Sequence, residues 1–240
     1  MSAIGILGGM GPQASNKLYE LIIKGTRKFI PTAVNDDYPE VVLLNIPVPN
    51  FISNINELPK AKQILIDRTK LLEKAGCTVN GIACNTAHIL LPELQVVTKV
   101  PFLSIPKLVS KQIEVAGYKR VGLLATPTTL DSTLYDEALA GIAEIVRPTA
   151  EFAKQTEQFI YKQINGTLLT AERQKFRSRV KEFKMINKLD VTILACTELP
   201  LVYGDNQNDH DVLDTLQTLS DGLLEEYFDQ LIKAGPTLSR

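Results

Sequence analysis

Ile82-Ala83-Cys84-Asn85-Thr86 returns later in the chain as Leu194-Ala195-Cys196-Thr197-Glu198, displaced by 196 − 84 = 112 residues. In both copies an apolar run ends on a cysteine and gives way at once to polar residues. A second pair, Ile4-Gly5-Ile6-Leu7-Gly8 and Val121-Gly122-Leu123-Leu124-Ala125, is displaced by 121 − 4 = 117. Two matches at nearly one offset predict two similar halves; chance likeness of apolar strands explains one pair but not both.

Working outward, Ala3–Leu7, Val41–Ile46, Val79–Ala83, Val121–Ala125 and Val191–Ala195 read as strands covered on both faces, because they are short and almost wholly apolar. Amphipathic stretches lie between them. Pro12 suits the first position of a helix, where its missing N–H costs little, and that helix should bury Leu18, Leu21, Ile22 and Phe29. Glu57–Ala75 sets Ala61, Ile64, Leu65, Leu71, Leu72 and Ala75 at helical spacing, with Gly76 as the stop. Lys107–Ala116 ends in the same way at Gly117. Thr170–Asn187 is a charged helix carrying Phe176, Val180, Phe183 and Met185, and Leu213–Ala234 forms the last helix before Gly235-Pro236. Strands alternating with helices predict parallel βαβ construction, an α/β fold of two pseudo-symmetric domains. Pro101 and Pro106 place the boundary near Lys99–Pro106. Residues 1–100, completed by a helix over 212–234, make the first domain, and 101–211 the second.

Composition narrows the function. The 240 residues are 45% hydrophobic and 22% charged, which excludes a disordered chain. Lys+Arg 26 against Asp+Glu 27 leaves a net charge of −1, so neither nucleic acid nor a membrane is an expected partner. No apolar run approaches the roughly 18 residues that span a bilayer, and the start lacks a signal-peptide pattern. Three cysteines are too few, and odd in number, for a secreted disulfide framework. A reduced, cytoplasmic protein is expected. Two histidines and three dispersed cysteines form no metal-ligand spacing, so no metal is expected.

In an open parallel sheet, ligands bind at the carboxyl ends of strands, where Cys84 and Cys196 fall. If the halves face each other, the two sulfurs approach one cleft from opposite sides. Such a pair suits inversion at carbon: one thiolate removes a proton from one face while the other thiol donates to the opposite face. A single cysteine after an apolar strand is more simply a small buried hydrophobe. The matched pair argues against that reading, whereas Cys77 has no such context and is assigned to packing. Asn85, Thr86 and Thr197 carry donors for an α-carboxylate, a reading favoured over simple caps for the helices that follow because the cysteines beside them need a substrate anchor. Gly8–Gly11 lets the backbone approach a ligand, or simply makes a tight turn. Glu198 fits a substrate ammonium or the tuning of Cys196, against ordinary charge complementing a helix N-terminus. His88, four residues past Cys84, either biases the thiol or is a satisfied structural histidine.

Gly8-Gly9-Met10-Gly11-Pro12, Cys84-Asn85-Thr86-Ala87-His88 and Cys196-Thr197-Glu198 resemble the signatures of the aspartate/glutamate racemase family. Gly122-Leu123-Leu124-Ala125-Thr126 and Leu213-Asp214 agree with the likeness, which covers nearly the full length. The resemblance implies an isomerase with its active site between two α/β domains. It further implies racemisation of aspartate, glutamate or a related amino acid without a cofactor, by Cys84 and Cys196, in a homodimer. Met10, Gly11, Asn85, Thr86, Thr126, Thr197 and Glu198 would bind the substrate. Two departures accompany it. Phe51, in Val48-Pro49-Asn50-Phe51, stands where aspartate racemases carry an arginine that clamps carboxylate, and a family lysine falls at Asn165 or, with a shifted alignment, at Lys162.

Other functions fit less of the chain. Gly9-Met10-Gly11-Pro12-Gln13-Ala14 matches a short dinucleotide fingerprint, but the second strand ends without the acidic residue that holds a ribose hydroxyl. A cysteine lyase or hydrolase acting on a small acid uses one cysteine and leaves the other idle. An amino-acid binding protein that retains the cleft without turnover is the remaining alternative.

Overall fold

A computed structural model describes residues 2–51, 54–204 and 210–233. The first half runs β1 (Ala3–Gly8), α1 (Pro12–Thr26), β2 (Glu40–Asn45), α2 (Leu58–Lys74), β3 (Cys77–Ile82), α3 (Leu91–Val96) and α4 (Ile105–Ala116). The second runs β4 (Arg120–Leu124), α5 (Pro127–Asp131), α6 (Leu134–Leu139), β5 (Glu144–Val146), α7 (Ala150–Ile164), α8 (Thr170–Ile186), β6 (Val191–Leu194), α9 (Leu199–Tyr203), β7 (Val212–Asp214) and α10 (Thr215–Lys233). Each half builds a parallel sheet flanked by helices, as the alternating pattern predicts.

The sheets copy one another. The first has the order β2-β1-β3 and the second β5-β4-β6-β7. A single parallel bridge, Asn80 to Phe102, gives the first sheet a counterpart of β7. Asn80 N–H donates to the Pro101 carbonyl at 2.8 Å, and Thr192 N–H, 112 residues later, donates to the Asp211 carbonyl at 2.9 Å. The crossover helices repeat as well: α2 and α8 are offset by 170 − 58 = 112 at their starts and 186 − 74 = 112 at their ends. Helix α7 has no partner at that place in the first half: among the described residues between β2 and α2 only a short helical turn, Ile55–Glu57, is regular. In both sheets the chain steps first to one side of the leading strand and then to the other. The switch points, where ligands bind in open sheets, are therefore β1/β3 and β4/β6.

Alternation along the strands sorts the core into three clusters. Ile4, Ile6, Val121, Leu123, Val191 and Ile193 turn to one continuous core that takes in both sheets with α1, α4 and α10. Leu7, Ile82 and Cys84 turn to the opposite face under α2, and Leu124, Leu194 and Cys196 to the corresponding face under α7 and α8. Helix α10 lies along α1, with the Leu224 side chain tight against Gly25.

Several local expectations are corrected. Phe29 lies beyond the end of α1, 39% exposed, and stacks on Phe228 with ring centroids 4.6 Å apart. Leu71, Ala75 and Met185 face outward, because apolar spacing on a long helix exceeds the strip that its sheet covers. Pro106 does not interrupt the chain; it sits in the first turn of α4, where proline is tolerated. Residues 212–214 form an edge strand, β7, so the last helix begins at Thr215. Strands β5 and β7 have three residues each, too few to show a period. Ala234 and the Gly235-Pro236 stop lie outside the described residues.

Candidate active site

The two cysteine turns are built alike. After Ala83 the chain bends through Asn85 into a single helical turn, Thr86–Leu90, so the N–H groups of Thr86 and Ala87 meet the Cys84 sulfur. After Ala195 the N–H groups of Glu198 and Leu199 meet the Cys196 sulfur. Burial nevertheless dominates. It pushes the Cys84 thiol up to about 11, against the pull of those two N–H groups and the Thr86 hydroxyl, while the Glu198 carboxylate adds to the rise. Cys196 is raised further, chiefly by burial, with Glu198 and Cys84 adding negative charge. Both are free thiols at neutral pH.

Side chains next to the cysteines bind the two halves together. Thr197 donates its hydroxyl to the Ala83 carbonyl at 3.2 Å. The Thr86 hydroxyl lies 3.1 Å from that of Thr126 and 2.8 Å from that of Thr129. Tyr135 donates to Asn85 Oδ1 at 2.6 Å, and Asn85 Nδ2 donates to the Thr215 hydroxyl at 3.0 Å. That hydroxyl in turn donates to the Leu194 carbonyl at 2.8 Å. Asn85 and Thr197 therefore spend side-chain polarity on protein partners, although Asn85 retains a second N–H.

His88 serves the backbone of Cys84, not its thiol. Ile105 N–H donates to Nε2 at 3.0 Å, which fixes the proton on Nδ1, and Nδ1 donates to the Cys84 carbonyl at 2.8 Å. Burial lowers the ring to about 4, so it stays neutral near pH 7. It is a satisfied structural histidine.

Glu198 is stranger. Its residue is 1% exposed, and neither carboxyl oxygen has a hydrogen-bond partner among the described residues. Burial raises the carboxyl to about 7; the Ala14 N–H in the first turn of α1 opposes this without reaching hydrogen-bond geometry. Gly11 makes room for it, since a Cβ there would stand 1.8 Å from Oε1. Gly9 is needed for a different reason: its φ of +92° is a left-handed conformation, and a Cβ would meet the Ile46 backbone at 2.3 Å.

A cleft of about 290 Å³ opens beside these turns, lined by residues 9–12, 48–51, Thr126 and Pro127, by Glu157, Ile160, Tyr161 and Ile164 of α7, and by Asn165 just past its end. Met10, Gly11 and Thr126 thus reach its surface. Asn85, Thr86, Thr197, Glu198 and both cysteines are absent from its lining and buried, with Cys84 3% and Cys196 9% exposed. Met10 and Phe51 line the cleft and also share a buried cluster with Cys84, and Ile160 does the same for Cys196. Phe51 is fully buried, whereas Lys162 points away from the cleft to pair with Glu172. The sequence reading missed Tyr135, Glu157 and Tyr161. The spacing of Glu157, Ile160, Tyr161 and Ile164 marks one helix face, yet nothing in the sequence says that this face looks into the cleft.

Comparison with known proteins bears on this arrangement. The family model for Asp/Glu/hydantoin racemases matches residues 7–220. The chain is 26% identical over 224 residues to the broad specificity amino-acid racemase RacX of Bacillus subtilis, covering 93% of this chain and 97% of that protein. Among solved structures, an aspartate racemase homologue from Pyrococcus horikoshii OT3 superposes with a TM-score of 0.78 at 27% identity, covering 95% of this chain and all of that one (100%). Picrophilus torridus aspartate racemase gives the same TM-score of 0.78 and identity of 27%, with 95% of each chain covered.

Proposed function

The chain belongs to the Asp/Glu/hydantoin racemase family, and from that premise we propose that it interconverts the enantiomers of an amino acid, without a cofactor, by proton transfer between Cα and two cysteines. One of Cys84 and Cys196, as thiolate, takes the Cα proton from one face. The other, as thiol, gives a proton to the opposite face. The observation that carries the reading is the duplicated turn, each sulfur set against two backbone N–H groups and the turns tied by the Thr197–Ala83 bond. Those N–H groups favour the thiolate when it forms.

Magnitudes show what the substrate must add. A thiol at about 11 needs roughly 5 kcal/mol to ionise at pH 7. An ammonium about 4 Å away is worth about 4 kcal/mol at an effective dielectric of 20. The α-ammonium of a bound amino acid is therefore the right size of perturbation, and a proton on Glu198 would act in the same direction. Met10, Phe51 and Ile160 are the lining residues that share buried clusters with the two sulfurs.

Aspartate or glutamate is the substrate to which the family points. For a second carboxylate, however, the lining of the cleft holds neither lysine nor arginine among the described residues.

The deciding experiment follows Cα–H exchange by NMR in D₂O over a panel of amino acids. Cys84→Ala and Cys196→Ala should each abolish net racemisation while exchange of one enantiomer survives. Full racemisation by either variant would contradict the two-base assignment. The second reading, a binding protein without turnover, is favoured by the burial of both sulfurs. It predicts amino-acid-dependent thermal stabilisation with no exchange.

A further inference from the structure

The cleft has a charge of its own. Its lining contains no lysine or arginine among the described residues, and Glu157, half-buried on α7, has no ion pair or hydrogen bond with them. One turn further along the same helix, Tyr161 also faces the cleft, and Val48, Phe51 and Ile160 supply apolar wall. A negative carboxylate repels a second carboxylate across a narrow, poorly hydrated space. Together with an aromatic ring, it attracts a cation. Apolar walls suit the methylene stem that carries such a cation.

We infer that Glu157 sets the side-chain selectivity of the cleft, which takes amino acids whose aliphatic side chain ends in an ammonium or guanidinium group and rejects dicarboxylic ones. The inference rests on the racemase reading above and names the substrate class of that same site. Discrimination comes from both signs at once: attraction of the cation by Glu157, and lack of any clamp for an anion where Phe51 and Asn165 stand. Asn165 and Lys162 divide the second position. The first reaches the cleft without charge, and the second has charge but spends it on Glu172.

The test measures Cα exchange in D₂O with lysine, arginine, norleucine, glutamate and aspartate, for the natural protein, Glu157→Gln and Glu157→Lys. The natural protein should turn over lysine or arginine with kcat/KM at least tenfold above glutamate. Glu157→Gln should lower the lysine-to-norleucine ratio at least fivefold, and Glu157→Lys should reverse the lysine-to-glutamate order. A preference of the natural protein for glutamate or aspartate overturns the inference, as does a lysine-to-norleucine ratio indifferent to Glu157. If no amino acid exchanges, the racemase reading fails by itself. Calorimetric binding of lysine and glutamate to the same three proteins then decides selectivity: binding of lysine that Glu157→Gln weakens sustains it, and equal or absent binding rejects it.

Discussion

Thr197 donates its hydroxyl to the carbonyl of Ala83 at 3.2 Å, so the residue after one cysteine is bonded to the residue before the other. The link fixes the two turns to each other without involving either sulfur. Thr197→Val keeps the shape and removes the donor, leaving a buried carbonyl without this partner. A loss of about 1–3 kcal/mol is expected in denaturant unfolding. Loosened turns should also lower kcat more than they raise KM, a split that steady-state kinetics would show. Unchanged stability would mean that the carbonyl finds another donor.

Glu198 adds negative charge near both sulfurs and raises both thiols. Glu198→Gln should therefore make them more acidic. Iodoacetamide alkylation of Cys84 and Cys196, followed by mass spectrometry across pH, should show midpoints moved to lower pH than in the natural protein. Midpoints that do not move would place the carboxylate too far away to matter.

Two buried groups pull stability in opposite directions over one pH range. Glu198 is raised from its ordinary 4.5 to about 7, so the stability it lends is full below 4.5 and lost as pH rises through 7. His88 is lowered from 6.5 to about 4, so its share is present above 6.5 and lost as pH falls through 4. Each amounts to about 3 kcal/mol. Across pH 4.5–6.5 the two slopes largely cancel. In Glu198→Gln the histidine slope stands alone. That variant should gain up to about 3 kcal/mol over the natural protein at pH 8 and show a much steeper acid decline. Thermal melts across pH would check both.

Gly11→Ala places a methyl where Glu198 now sits, at 1.8 Å from Oε1. The carboxyl must move, and with it the charge felt by both thiols. Activity should fall at least tenfold, with the change in melting temperature confined to a few degrees. Restored activity in the double variant Gly11→Ala/Glu198→Ala would tie the defect to this collision.

Much of this arrangement is readable in the sequence, and the unread parts have physical reasons. The long strands show because both faces are buried, so Ile4–Leu7 and Val191–Leu194 are apolar at every step except Gly5 and Thr192. The cysteine turns show because they are duplicated. Strands β5 and β7 do not, since three residues carry no pattern. Partners are hidden too. Whether Asn85 meets a ligand or Tyr135, and whether His88 meets a thiol or the Ile105 N–H, depends on elements distant in the chain. The burial of both sulfurs is likewise a matter of how helices and loops pack, which no local spacing encodes.

The walls of the cleft come from two sources. Residues 9–12 and Thr126-Pro127 follow the equivalent strands β1 and β4, whereas 48–51 and the α7 face belong to segments that the halves do not share. On the proposed reading the two turns meet the two hands of a substrate with similar backbones but unequal side chains, Asn85-Thr86 against Thr197-Glu198. The unshared segments can distinguish them. A difference in how tightly the L and D forms bind can therefore arise in α7 and the loop that faces it as well as in those unequal side chains, and the same few unshared positions are where new substrate ranges can evolve without disturbing the proposed proton-transfer pair.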